Sequence, residues 1–345
     1  MPGDGATFVY VGNAESQDIS VLQLEPEGAL TPITAVPVPG SVKPGLSLPL
    51  AVSPAKAFLY AAVRGVPYSV VTFGIDPASG ILTYIGSGQL PNSVAYIATD
   101  QTGCFLLSAS YDGDTVSVSP IAPSGIVGPA QQIVPTRPKA HCIVIDDSNH
   151  YALHTSLGGD VIYQERFDAG SGKLSPNDPP TVSVAANAGP RHLTFAPSGQ
   201  FVYLLGELDG AIRVFPYIAA IGTLEAELQA ISALPKGFSG QPWAADIHLT
   251  PNGRFLYASE RTSSTLAGFR VNTRDGKLTS IGSYPTAWQP RGFNIDPTGR
   301  YLLAVGQLSN NMIAYSIDEA SGRLTALGTY PVGKNPNWVE IVALP

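Results

Sequence analysis

The chain has 345 residues, with 19 Lys and Arg against 26 Asp and Glu, a formal net charge of −7, and only 13% charged residues. That balance argues against a general nucleic-acid or anionic-membrane surface while leaving room for a local basic pocket. With 36 Gly, 31 Pro and 15 Tyr, the composition suits many short strands and tight turns rather than long helices.

Two cysteines, Cys104 and Cys142, are too few for a disulfide framework and point to a reducing cytoplasm. Met1-Pro2-Gly3-Asp4-Gly5 offers no positive region followed by an apolar core, so no signal peptide is expected. No run of 18 apolar residues is present to span a bilayer.

In chain order, a first segment from Phe8 to about Gly40 lacks an opening strand. Six further segments follow, each read as strand, turn, strand, loop, strand, Gly turn, strand. Their first turns are anchored at Pro54, Asp100, Asp147, Pro197, Pro251 and Pro297, with spacings of 46, 47, 50, 54 and 46 residues. This brackets the period of propeller blades. The third strand with its turn is plainest in Val70 to Leu82, around Asp76-Pro77-Ala78-Ser79-Gly80, and again in Phe269 to Leu278 and Ile313 to Leu324. Residues 219–228 are expected to form a helical turn inserted between strands. The last residues, Asn337 to Pro345, make one spare strand. The economical solution pairs that strand with the first segment, closing the ring and leaving no unpaired edge. The predicted fold is therefore all-β: a seven-bladed β-propeller occupying residues 1–345 as a single domain.

The stretch Gly189 to Glu207 shows what this does to polar residues. Arg191 to Phe195 and Phe201 to Leu205 read as strands flanking Ala196-Pro197-Ser198-Gly199, a turn in which Pro presets φ and Gly accepts positive φ. The hairpin brings Arg191 and Glu207 to one edge. Counting six residues back from each anchor gives Leu48, Val94, His141, Arg191, Ala245 and Arg291. Counting four on from the last aromatic of the second strand, or the Leu equivalent to it (Tyr60, Leu107, Leu153, Tyr203, Tyr257 and Leu303), gives Arg64, Tyr111, Leu157, Glu207, Arg261 and Gln307. One rim thus gathers four of the 19 cationic side chains.

An arginine cluster of this kind suits an anion, since each guanidinium is a permanently charged fork matched to carboxylate or phosphate. Glu207 among arginines is expected to stay ionised, and His141 to titrate near neutrality. Buried Arg–Glu pairing between blades is the competing structural explanation. His192 and His248 sit inside innermost strands as channel-wall residues. The Asp246-Ile247-His248 run puts two polar side chains on one strand face, a structural pair rather than a metal site. Cys142 alternates away from His141, against a Cys/His nucleophile pair. Trp243 and Trp288 fall in turns before innermost strands, where packing explains them.

Four runs, Gly189-Pro190-Arg191-His192, Trp243 to His248, Leu256 to Thr262 and Gln289 to Asn294, resemble the β-propeller lactonase family, as do Ala14 to Gln17 and Asn337-Trp338-Val339. The resemblance spans the chain. It implies hydrolysis of a small anionic sugar lactone, 6-phosphogluconolactone first, without metal or organic cofactor. In fungal carboxymuconate-cyclising members a His and a Glu over the channel are proposed to carry the chemistry, and His141, Glu207, Arg191 and Arg261 match them. Tyr96 and Pro242 depart from the family pattern, which has His and Arg there.

On this reading Glu207 or His141 is the general base toward water and the other the proton donor. Arg191 and Arg261 face the oxyanion. Arg291 and Arg64 hold a remote phosphate, with His192, Tyr111, Gln307, Asp246 and His248 completing substrate binding. Alternatives are a carboxymuconate-type cycloisomerase, a lactonase for non-phosphorylated sugars, and a propeller serving only as an interaction platform. A monomer or weak homodimer, with no nucleic-acid or membrane partner, is expected.

Overall fold

The computed structural model describes residues 5–345; residues 1–4, on which most of the signal-peptide expectation rests, lie outside the described residues. Among the described residues the strands form seven antiparallel sheets. The first sheet takes its innermost strand from the other end of the chain: Pro336–Ala343 pairs antiparallel with Thr7–Asn13. The ring is closed as the sequence predicts. Blades 2 to 7 begin with the inner strands Leu50–Val52, Tyr96–Thr99, Ala140–Ile145, Pro190–Phe195, Ala244–Leu249 and Pro290–Ile295.

The hydrophobic core is divided among the junctions between neighbouring blades. Blade 1 meets blade 2 through Phe8, Tyr10, Val21, Leu59, Val71 and Phe73. Blade 5 meets blade 6 through Tyr203, Leu205, Val214, Leu256 and Phe269. Alternation along each strand sends apolar side chains to both faces, because both faces are covered by neighbours.

The Gly turns lock adjacent blades. In blade 2, the Asp76 carboxylate accepts hydrogen bonds from the Ala78 and Ser79 amides at 3.2 and 2.8 Å, and Gly80 takes φ +66°. That puts the Gly80 carbonyl 2.9 Å from Tyr10 Oη, which donates to it from blade 1. Tyr203 and Tyr257 donate in the same way to Gly276 and Gly322 of the following blades, at 2.9 and 2.6 Å.

One sequence expectation fails. Residues 219–228 form no helix: a turn over 219–222, made possible by Gly222 at φ +68°, leads into the short strand Thr223–Leu224 and then Gln229–Ser232. Ile221 and Leu228 are exposed here, so there is no apolar stripe for a helix to bury. Among the described residues no helix is long and apolar enough to cross a membrane.

Candidate active site

Two repeated features aim side chains at the channel. The second strands of blades 2 to 7 end at Val63, Ser110, Ser156, Gly206, Glu260 and Gly306. The residues counted as rim positions, Arg64, Tyr111, Leu157, Glu207, Arg261 and Gln307, are therefore each the first residue beyond that strand. In addition, several innermost strands carry one extra residue at the same end. The register with the second strand slips between Ala140 and Ile143, Pro190 and Leu193, Ala244 and Ile247, and Pro290 and Gly292. Such bulges bend the strand and redirect side chains. Here the inserted positions hold His141, Arg191 and Arg291.

These residues enclose a cavity of about 210 Å³ lined by Arg64, Tyr111, His141, Arg191, Glu207, Arg261 and Arg291, together with Leu46, Ala95, Asp112 and Trp243. Glu207 Oε2 receives Arg191 Nε at 2.9 Å and Arg261 Nη2 at 2.7 Å. The Arg–Glu pairing that competed with a binding site is real, and it forms the cavity wall. Arg191 is further held by the Ala245 carbonyl, and Arg261 by the Trp243 carbonyl at 2.9 Å. Arg64 is braced by Ser93 and Ser47 hydroxyls, each at 3.0 Å, and pairs with Asp112 at 3.2 Å. Arg291 differs. Its Nη1 donates to the Leu46 carbonyl at 3.0 Å, and among the described residues no carboxylate pairs with it.

The electrostatics follow from that crowding. Burial and then the neighbouring Arg191, Arg261 and Arg64 charges push Arg291 well below the usual arginine range. Burial and Arg191 lower Arg261 to about 9, still charged at neutral pH. Burial alone would raise Glu207, but Arg191 and Arg261 outweigh it and hold the carboxyl below its ordinary value. His141 is pushed well below the usual imidazole range, first by burial and then by Arg191, His192, Arg291 and Arg261. It is neutral at neutral pH, not titrating there as its residue type alone suggests. Its Nδ1 is buried without a partner, which leaves Nε2 for the cavity.

Four candidate residues lie elsewhere. The Gln307 side chain is drawn to the junction of blades 7 and 1, where its amide donates to Asn335 at 2.7 Å. His192, Asp246 and His248 sit deeper, lining the opposite mouth of the channel with Tyr96 and Thr194. They form a row in which His192 Nδ1 is 2.8 Å and His248 Nε2 3.2 Å from Asp246. His192 and His248 are thus the channel-wall residues the sequence suggests and Asp246–His248 the structural pair, but none of the three lines the cup with the rim residues.

Leu46, Ala95, Asp112 and Trp243 also line the cavity, and the rim count does not reach them. Ala95 lies one residue from a counted position: Asp100 stands where Asp146, Thr250 and Asp296 stand in other blades, each amide bonding across its turn, so the blade 3 anchor is Gln101. Trp243 is 40% exposed and carries the Arg261 guanidinium 3.9 Å from its ring centre, so packing does not account for it; Trp288, 63% exposed, is not explained by packing either. Cys142 is buried and Cys104 exposed, both unpaired.

The family model described as "Lactonase, 7-bladed beta-propeller" matches residues 7–341. The chain is 43% identical over 337 residues to a 6-phosphogluconolactonase of Pectobacterium carotovorum, covering 97% of this chain and 98% of the relative. It is also 43% identical over 338 residues to that of Serratia proteamaculans, covering 97% and 99%. Among solved structures, the periplasmic gluconolactonase of Pseudomonas aeruginosa superposes with a TM-score of 0.88 at 26% identity, covering 99% of this chain and 100% of that one. A closed ring of seven blades, a cup of arginines around one glutamate, and near full-length similarity agree: the chain belongs to the seven-bladed β-propeller lactonase family.

Proposed function

We propose that the protein hydrolyses a phosphorylated sugar-acid lactone, 6-phosphogluconolactone, to the open acid. The observation that carries this is the unpaired Arg291 in a cup whose charges do not cancel. Arg64, Arg191, Arg261 and Arg291 face Glu207 and Asp112, four positive against two negative, a formal excess of +2. A phosphate monoester carries about −1.5 to −2 near neutral pH and offers oxygens matched to guanidinium forks. A neutral sugar lactone would leave that excess unanswered.

The protonation states sort the acid/base roles. Glu207, held ionised by two arginines, cannot donate a proton at neutral pH. Neutral His141 can accept one. In the proposed reaction His141 takes a proton from water as its oxygen bonds to the lactone carbonyl carbon. The resulting oxyanion is stabilised by guanidinium N–H groups. As the bond from that carbon to the ring oxygen breaks, His141 returns the proton to the departing oxygen, completing addition of one water. Glu207 orients the water through the oxygen left free by the arginines. His141 is depressed first by burial and then by the arginine charges; docking of the phosphate offsets the second cause and moves the imidazole toward the range where it works best.

The test compares 6-phosphogluconolactone with glucono-1,5-lactone and a carboxymuconate, each above its spontaneous rate. The phosphorylated lactone should win in kcat/KM, with Arg291→Met raising its KM by about 10- to 100-fold and His141→Ala lowering kcat by about 100-fold or more. Equal use of the two lactones would refute the phosphate assignment. Wild-type kcat in both His141→Ala and Glu207→Gln would end the acid/base assignment.

A further inference from the structure

We propose that Asp246 and His192 are positioning residues that orient His141 from deeper in the channel. This rests on the reading above that His141 is the base. His192 and Asp246 do not reach the cup, yet they are connected to its floor. The bulges of blades 4, 5 and 6 fall at His141–Cys142, Arg191–His192 and Ala245–Asp246, at the same level of three successive strands. The imidazole of His192 consequently lies edge to face beneath that of His141, with ring centres 5.2 Å apart and planes at 61°.

Asp246 fixes the proton on His192. Its carboxylate takes the His192 Nδ1–H at 2.8 Å, together with the Ile247 and Phe293 amides at 3.0 and 3.3 Å and His248 at 3.2 Å. Burial alone would raise its pKa; the charge of His248 and the hydrogen bonds from His192 and His248 hold the carboxyl far below the ordinary aspartate range, so it remains an acceptor. With Nδ1 donating, His192 Nε2 is a lone pair, and that atom is buried without another partner. The atom in the same condition on the neighbouring ring is His141 Nδ1. Buried polar atoms are rarely left unsatisfied. A hydrogen bond from His141 Nδ1–H to His192 Nε2, direct or through one buried water, satisfies both. It also places the His141 lone pair on Nε2, the tautomer a base toward the cup requires.

The groups around the pair favour this neutral relay over a charged one. Arg191, Arg261 and Arg291 face His141, with the Tyr111 ring at 5.9 Å. His192 meets Arg191, Tyr96 and Trp338, and burial first, then Arg191, lowers it to about 4. His248 and, beyond it, Glu340 surround Asp246 from blades 6 and 1. Two adjacent imidazolium rings would add charge to an already positive site.

The test is histidine-ring 15N NMR on the full chain, with kinetics alongside. Wild-type His141 should carry its proton on Nδ1. Asp246→Asn and His192→Phe should give a mixture of His141 tautomers, lower kcat by about 10- to 100-fold with little change in KM, and shift the acid limb of the kcat pH profile. His192→Gln, which can accept at one amide oxygen, should recover part of the loss. A His141 proton on Nε2 in the wild type overturns the proposal, and so does an unchanged pH profile in both variants. Should Asp246→Asn fail to fold, His192→Phe and the wild-type spectrum decide. The tautomer is read without substrate, so the spectrum decides the relay even if the lactone assignment fails.

Discussion

Glu207 receives one hydrogen bond from each of two arginines on a single oxygen, with all three side chains nearly closed off from solvent. Replacing it by Gln leaves two buried guanidinium groups without their carboxylate, which typically costs about 3–5 kcal/mol. Glu207→Gln should therefore lower Tm as well as activity, and inorganic phosphate should restore more of the Tm in this variant than in the wild type. Glu340 gives a prediction of opposite origin. Burial raises its pKa to about 7, against which the Trp338 Nε1–H bond at 2.9 Å works only in part. A folded-state value above the ordinary 4.5 means that the stability it provides is full below about pH 4.5 and is lost as pH rises through 7. Glu340→Gln should match the wild type near pH 4.5 and exceed it at pH 8, by on the order of 2 kcal/mol given some contact with channel water. Melting curves across that range check it. What could be read at this scale was residue type and count: the six positions after the second strands were located by counting from a strand-end aromatic or Leu. What could not be read was which cations are already neutralised. Arg64 and Arg291 look alike in sequence, yet one meets Asp112 and two serines while the other meets a single carbonyl.

At the scale of the strand, the inserted residue in several innermost strands decides which side chains reach the cup. Nothing in the run Pro290-Arg291-Gly292 announces a slip, because a bulge depends on the partner strand's register. The glycine beside it is more telling. A Cβ on Gly292 would lie 2.5 Å from the Asn337 carbonyl, so blade 7 and the closing strand approach closely there. Gly292→Ala should push them apart, costing about 1–3 kcal/mol. It should also weaken substrate binding through Arg291 next to it, which thermal melts and KM would report together. The spare C-terminal strand was legible because a seven-segment chain with one strand missing at its start has one obvious place for an extra one. The stretch 219–228 was not, since a run rich in Ala and Leu with two glutamates resembles a helix until its exposed apolar residues are placed.

Across the molecule, a net −7 chain presents a positive cup on one face of the ring. An anionic substrate of the proposed kind would then be drawn to that face by a field that salt weakens. The kcat/KM for a phosphorylated lactone should fall about threefold or more between about 0.02 and 0.5 M salt, with a neutral lactone unaffected; equal salt responses would count against steering. Fold class was readable at this scale because period, turn chemistry and the missing strand all agree. The charge asymmetry was readable only after the repeat had been laid out.

The pairing of Pro336–Ala343 with Thr7–Asn13 also sets an order of events during synthesis. The first three strands leave the ribosome with an open edge and wait for more than 300 residues before their partner exists. Until then the nascent chain exposes the edge on which a second molecule could pair. Chaperone occupancy on the ribosome should therefore persist until the last few residues emerge.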